Sequence, residues 1–349
     1  MEVVDGFVLQ SWTRTDPSPR KKKQSMRSIQ KLLFVFVTLS IGVAAQTITT
    51  FAVNPEGGAS PTGINDNGDV VGTYGCDNGQ YRCGFLRSGA TGKDQHLGVG
   101  VQPFALNDSD ETVGIYRISA FYWLFGGKMV QFLRGTEPAA TAVNAAGFVA
   151  GYYRTNNEHG TSAAFLMNLQ GQISTIFVPA TGYVVNVSAM NNSNQVVGYW
   201  NNDQGLNQGF VYSNGTVNST FNYPGAVATY PTAINDSGEI AGSWTDSAGF
   251  VHGFVWNQEL GFTSFDAVQN TTATLPTCIN ASGIVAGFYR IKNGRGDSGF
   301  LYDSTSNTVT LLSIPHANLV EPRGINAQGT VVGDYQVGTE LPRGFLYQP

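Results

Sequence analysis

Short apolar runs alternate with polar, glycine-marked turns along residues 47–348, and one version of this alternation returns seven times. The copies read GINDNGDVVGTY (63–74), ALNDSDETVGIY (105–116), AVNAAGFVAGYY (142–153), AMNNSNQVVGYW (189–200), AINDSGEIAGSW (233–244), CINASGIVAGFY (278–289) and GINAQGTVVGDY (324–335). Their anchor asparagines, Asn65, Asn107, Asn144, Asn191, Asn235, Asn280 and Asn326, stand 37 to 47 residues apart, a spacing typical of solenoids and of four-stranded propeller blades. An apolar residue before each Asn ends one short strand. Three residues after it come Gly68, Asp110, Gly147, Asn194, Gly238, Gly283 and Gly329, the residue types that best tolerate positive φ, so this column predicts a left-handed turn. The anchor amide is expected to fold back onto the backbone as an Asx-turn. An apolar pair such as Val70–Val71 opens a second strand; a Gly stands seven residues after every Asn, and Tyr or Trp two residues beyond that.

A third element carries Phe preceded by Gly or Ala, as in GFL (84–86), AFY (120–122) and GFV (253–255). A fourth is a β-rich run such as QISTIFVP (172–179) or TVTLLSIP (308–315). No stretch of residues 46–349 has a convincing helical period. The seventh copy ends at GFLYQP without a fourth run, whereas TITTFAVNP (47–55) is a fourth-type run with no unit before it. The two deficits match. A strand borrowed from the N-terminal side would complete the last sheet and remove the open edges that invite aggregation. The fold read from the sequence is therefore all-β: a seven-bladed β-propeller of four-stranded antiparallel blades over residues 46–349, closed by the N-terminal strand pairing with the last blade. An open solenoid would need atypical caps instead.

The repeat resembles the bacterial extracellular family called HAF, after a His-Ala-Phe signature ahead of an aromatic-rich strand. His252-Gly253-Phe254-Val255-Trp256 matches it best, and the resemblance extends over residues 61–347. The resemblance implies secretion and a propeller-like fold and no particular reaction. His occupies its place in one copy only (it is Ala163 in Ala163-Ala164-Phe165), so no histidine function carries over.

Composition agrees with this architecture: 12% charged residues and 43 glycines suit tight turns and argue against a helical bundle or a disordered chain. The N-terminus adds a destination. Basic residues from Arg20 to Lys31, the apolar run LLFVFVTLSIGV (32–43) and the small pair Ala44–Ala45 make a secretory signal peptide at 26–45, with cleavage before Gln46. The run is too short for an ordinary membrane span, so a membrane would be met only through an uncleaved signal. Because Met26 begins a complete signal, residues 1–25 read as an upstream extension or a misassigned start. The expected location is outside the cell or in the periplasm. Without residues 1–45 the chain keeps 12 basic and 21 acidic residues, a net charge of −9, which argues against nucleic acid as a partner. Cys76 and Cys83 flank a hairpin in GCDNGQYRCG and are expected to form a disulfide; Cys278 reads as a small buried side chain.

Candidate chemistry is sparse. The acidic turns could suggest calcium, but the residue after the anchor is Asp at 66, 108 and 236, Asn at 192 and Ala at 145, 281 and 327, too unsteady an oxygen count for a repeated metal loop. No metal or cofactor is expected. The aromatic column, Tyr74, Tyr116, Tyr153, Trp200, Trp244, Tyr289 and Tyr335, serves either packing between blades or stacking of sugars and peptide side chains. Arg117, Arg154 and Arg290 follow it directly, and could converge on an anionic group or stand as solvated rim cations. These ten residues, on the face with the variable second-to-third loops, form the candidate binding face. No nucleophile, zinc-protease or phosphate-loop motif is present, and His96, His159, His252 and His316 occupy unrelated repeat positions, so no catalytic residue is assigned. The sequence thus predicts a secreted, monomeric, non-catalytic module that binds an extracellular protein or glycan. The alternatives are an extracellular polysaccharide-acting hydrolase or lyase on the same scaffold, and a purely structural surface protein.

Overall fold

The structure, a computed structural model, describes residues 46–349 apart from 55–56, 125–126, 135–136, 156–160, 179–183, 203, 293 and 295. The expected signal peptide, the upstream segment and His159 lie outside the described residues. The described chain is built of strands and turns, with no helix. Four strands per repeat fall within 60–99, 101–132, 139–176, 185–221, 228–265 and 271–312 (units 1 to 6), and three within 319–348 (unit 7). Consecutive strands of a unit are antiparallel neighbours, and a single parallel bridge from Val251 to Ala273 joins units 5 and 6 into one eight-stranded sheet. The fourth strand of the unit 7 sheet is Thr47–Phe51, antiparallel to Arg343–Gln348, in a register running from Thr47↔Gln348 to Phe51↔Gly344. Gly344 leaves room for the ring of Phe51, which would lie 2.4 Å from a Cβ at that position.

The repeated turn forms for the reasons its residues suggest. The seven positions three beyond the anchors all have φ between 58° and 85°. Each anchor Asn is buried, only 3–6% exposed. Its Oδ1 accepts the backbone N–H four residues later at 2.8–3.1 Å. Its Nδ2 donates outward, to the carbonyl of the next unit's anchor, at 3.0–3.4 Å; the seventh of these bonds runs from Asn326 to the carbonyl of Asn65. One amide therefore both caps its own turn and ties neighbouring units, which a substitution would leave as buried, unpaired polar groups.

The Gly of the second strand faces the Phe of the third in every unit, from Gly72↔Phe85 to Gly333↔Phe345. A Cβ there would stand 2.0–2.4 Å from a carbonyl of the first strand and 2.6–2.9 Å from the Phe ring. The missing side chain lets the ring lie flat on its neighbour, and the seven rings are fully buried; each contributes about 1.5–3 kcal/mol through burial.

The apolar core does not sit inside the sheets. Among the described residues it forms seven clusters, six shared by consecutive units and one in which Phe51 and Val332 of the unit 7 sheet meet Ala59, Val70 and Phe85. Each first strand also carries a β-bulge three residues before its anchor, at Thr62, Phe104, Thr141, Ser188, Thr232, Thr277 and Arg323. A bulge re-aims one side chain, and here it turns that residue toward the axis.

Candidate functional site

The first strands of all seven units line one axial cavity. At the anchor end it is closed down by the asparagines and the residues after them. The acidic residues there tie units together. The side chains of Asp66, Asp108, Asn192 and Asp236 accept the backbone N–H of the corresponding residue in the preceding unit at 2.7–2.9 Å. These are the four units in which that column is Asp or Asn; Ala stands in the other three. Among the described residues no group of three or more His, Cys, Asp or Glu is placed to hold a metal ion.

The opposite mouth is different. It opens into a cavity of about 530 Å³ whose lining includes Ser60, Thr73, Arg82, Asn186, Arg323 and Asp334. Ser60, Thr73, Asn186 and Asp334 of this lining belong to a cross-strand pair that recurs in every unit, five residues before the anchor and eight after it: Ser60↔Thr73, Gln102↔Ile115, Ala139↔Tyr152, Asn186↔Tyr199, Tyr230↔Ser243, Leu275↔Phe288 and Glu321↔Asp334. The first of these columns holds seven different residues in seven units and the second six, so the pairs differ from unit to unit.

The side formed by units 6, 7 and 1 is ionic. Arg323 donates from Nε to Asp334 at 3.1 Å and from Nη2 to Glu321. Arg290 grips Asp297 with two bonds of 2.6 and 2.8 Å, and both guanidiniums lie near the ring of Phe288, at 5.5 and 5.9 Å from its centroid. Glu321, Asp297 and Asp334 are all buried. Burial, reinforced by a hydrogen bond to Asp297 and opposed by Arg323, raises the Glu321 carboxyl to about 7. Burial also raises Asp334. Asp297 goes the other way: burial opposes its charge, but the hydrogen bonds from Arg290 and Glu321 win and hold it below the ordinary carboxylate range. One proton is thus shared unequally, with Glu321 the holder. The side formed by units 3 to 5 is phenolic. Tyr199 and Tyr230 meet edge to face at 5.2 Å, and Asn207 donates to the Tyr230 hydroxyl at 2.8 Å.

The residues singled out from the sequence are placed as follows. Tyr74, Tyr116, Tyr153, Trp200, Trp244, Tyr289 and Tyr335 each pack into a different one of the seven inter-unit clusters. Trp244 stacks on Tyr223 at 4.1 Å and on His252 at 4.6 Å, and its indole N–H reaches Ser264; the buried Trp200 indole N–H has no partner among the described residues. The three arginines are engaged separately: Arg117 over Tyr116, Arg154 with Glu137 and Arg290 with Asp297. Cys76 and Cys83 are joined in a disulfide, and burial pushes the Cys278 thiol up to about 12. His252 stands between Asp266 at 2.9 Å and Asp246 at 3.5 Å, on the same face. The mouth columns were missed by sequence reading, which followed what is constant in the repeat; their signal was variability at two fixed offsets.

No protein-family model matches the sequence, and no curated protein matches it. Solved structures do. The structure of streptogramin B lyase aligns with a TM-score of 0.57 at 13% identity, over 86% of this chain and 97% of that one. The β-propeller domain of the Trilobed protease from Pyrococcus furiosus gives 0.60 at 8% identity, over 83% and 95%. The chain has a β-propeller fold. Oligogalacturonate lyase in complex with manganese gives 0.61 at 10% identity, over 87% and 96%. At such identities the likeness carries the propeller architecture and no activity.

Proposed function

We propose that this chain is an exported seven-bladed β-propeller, of the HAF repeat type, that binds an extracellular protein or glycan at the mouth of its axial cavity. Three features support the blade count and closure: seven repeat units, the pairing of Thr47–Phe51 with Arg343–Gln348, and the Asn326-to-Asn65 hydrogen bond. The Cys76–Cys83 disulfide supports an oxidising compartment. The observation that carries the binding function is the mouth: a cavity of about 530 Å³ in which the guanidiniums of Arg82 and Arg323 and the Asp334 carboxyl stand among hydroxyl, amide and apolar groups drawn from five units of one repeated scaffold. Its volume lies in the range of small-ligand sites. The loops and the aromatic column then serve as frame.

The test is capture. Residues 46–349 are screened against a glycan array and an extracellular extract, and the ligand found is rechecked with Asn186→Ala, a change at the mouth outside the ionic cluster. Capture should fall while the melting temperature stays put. Capture lost instead on changing loop residues such as Tyr81 or Ile118, with Asn186→Ala silent, would move the site to the loops. A second reading, a hydrolase or lyase acting on polysaccharide, is favoured by one observation: Glu321, raised to about 7, is hydrogen-bonded to a cavity-lining arginine and could serve as a general acid. Time-dependent release of new chain ends from a polysaccharide, abolished by Glu321→Gln, would establish it.

A further inference from the structure

Arg82 lines the mouth cavity and makes no side-chain hydrogen bond or ion pair among the described residues. Arg323 lines the same cavity from the adjoining unit. Residue 323 is the bulged position of its strand, and Asp334 and Glu321 hold its Nε and Nη2, so its third nitrogen, Nη1, has no hydrogen-bond partner among the described residues on a guanidinium already fixed in place. A free guanidinium sharing a cavity with one already held in place is a receptor for a carboxylate: the fork is planar and matches the two carboxylate oxygens. Around them Ser60, Thr73, Asn186 and Ser188 present hydroxyl and amide groups to the same cavity. Tyr199 and Tyr230 stand on the phenolic side.

Resting on the binding function proposed above, we infer that the ligand of the mouth is a uronate-bearing glycan, its carboxylate received by Arg82 and Arg323 and its hydroxyls by the surrounding hydroxyl and amide groups. A sugar acid combines what the lining asks for: a carboxylate for the guanidiniums and a dense set of hydroxyls for the surrounding hydroxyl and amide groups. An acidic peptide could meet the arginines but has no array of hydroxyls for the remainder of the lining.

The experiment is calorimetric titration of residues 46–349 with trisaccharides of galacturonate, mannuronate and glucuronate, with their carboxyl-reduced neutral counterparts, and with an Asp-rich hexapeptide. One acidic trisaccharide should bind, and its reduced form should bind about tenfold to a hundredfold more weakly, the worth of a charged hydrogen bond. Arg82→Ala should bring the acidic sugar down to the level of the reduced one and leave the reduced sugar and the melting temperature unchanged, with Arg82→Lys intermediate. Equal affinity for acidic and reduced sugars, indifference to Arg82→Ala, binding of the peptide alone, or binding of none of the acidic sugars would each overturn the inference. The two levels separate cleanly: a neutral sugar held tightly and lost on Asn186→Ala sinks the carboxylate but keeps the mouth as a binding site, whereas sugar binding untouched by Arg82→Ala and by Asn186→Ala sinks both.

Discussion

A methyl group on Gly198 would stand 2.0 Å from the carbonyl oxygen of Asn186 and 2.8 Å from the ring of Phe210. Gly198→Ala should therefore destabilise the protein by at least about 1–3 kcal/mol, the range for overpacking, seen as a lower urea midpoint with an unchanged slope. Glu321 gives a prediction in pH. Its carboxyl titrates near 4.5 when free and near 7 when folded, so folding favours the protonated form. The stability it adds is complete below about 4.5 and is lost as pH rises through about 7. The groups facing it are Asp297 and Asp334, with Arg323 and Arg290 as the cations; Asp297, held low, works in the opposite sense and lends stability that is lost as pH falls. Glu321→Gln should flatten the loss between those two pH values, measured as urea midpoints across the window. An unaltered profile would assign the titration to another group. At this scale the sequence revealed the anchor Asn, the left-handed column and the Gly, because each meets a local backbone demand. It did not reveal the Asn-to-carbonyl bonds between units or the raised carboxyl of Glu321, since the bonds join residues 37 to 261 positions apart and Glu321 responds to its burial and to Asp297 brought alongside.

Strands were legible as elements: apolar and β-rich runs bounded by Gly and Asn fall close to where the structure puts them, down to the lone run read at 47–55, whose strand is Thr47–Phe51. The bulge three residues before each anchor was not. Thr or Ser stands there in five units, which reads as ordinary strand composition, and only the register shift shows that the residue is turned toward the axis. Arg323 stands at that position in unit 7. The pairing of the N-terminal strand leads to a deletion test. Removing residues 47–54 strips the outer partner from Arg343–Gln348 and withdraws Phe51 from Gly344. The truncated protein should expose an unpaired sheet edge and aggregate, scored by light scattering and size-exclusion chromatography. A soluble truncation with an unchanged melting temperature would contradict the proposed closure.

For the whole molecule, the consequence of placing every apolar cluster between two units is that no unit owns a core. Residues 46–349 should unfold in one cooperative step, with tryptophan fluorescence and far-ultraviolet circular dichroism giving coincident urea transitions. Separate transitions would mean that some units stand alone. By itself the sequence determined the repeat, its turns, its strands and the all-β class, because turn chemistry and short apolar runs are local properties written in neighbouring residues. It also supplied the two ends whose deficits match. Only the tertiary structure decided which side chains share a mouth. Arg82, Asn186 and Arg323 lie on units 1, 4 and 7, far apart along the chain, and they share a cavity only because the fold gathers the first strands of separate units to line one space.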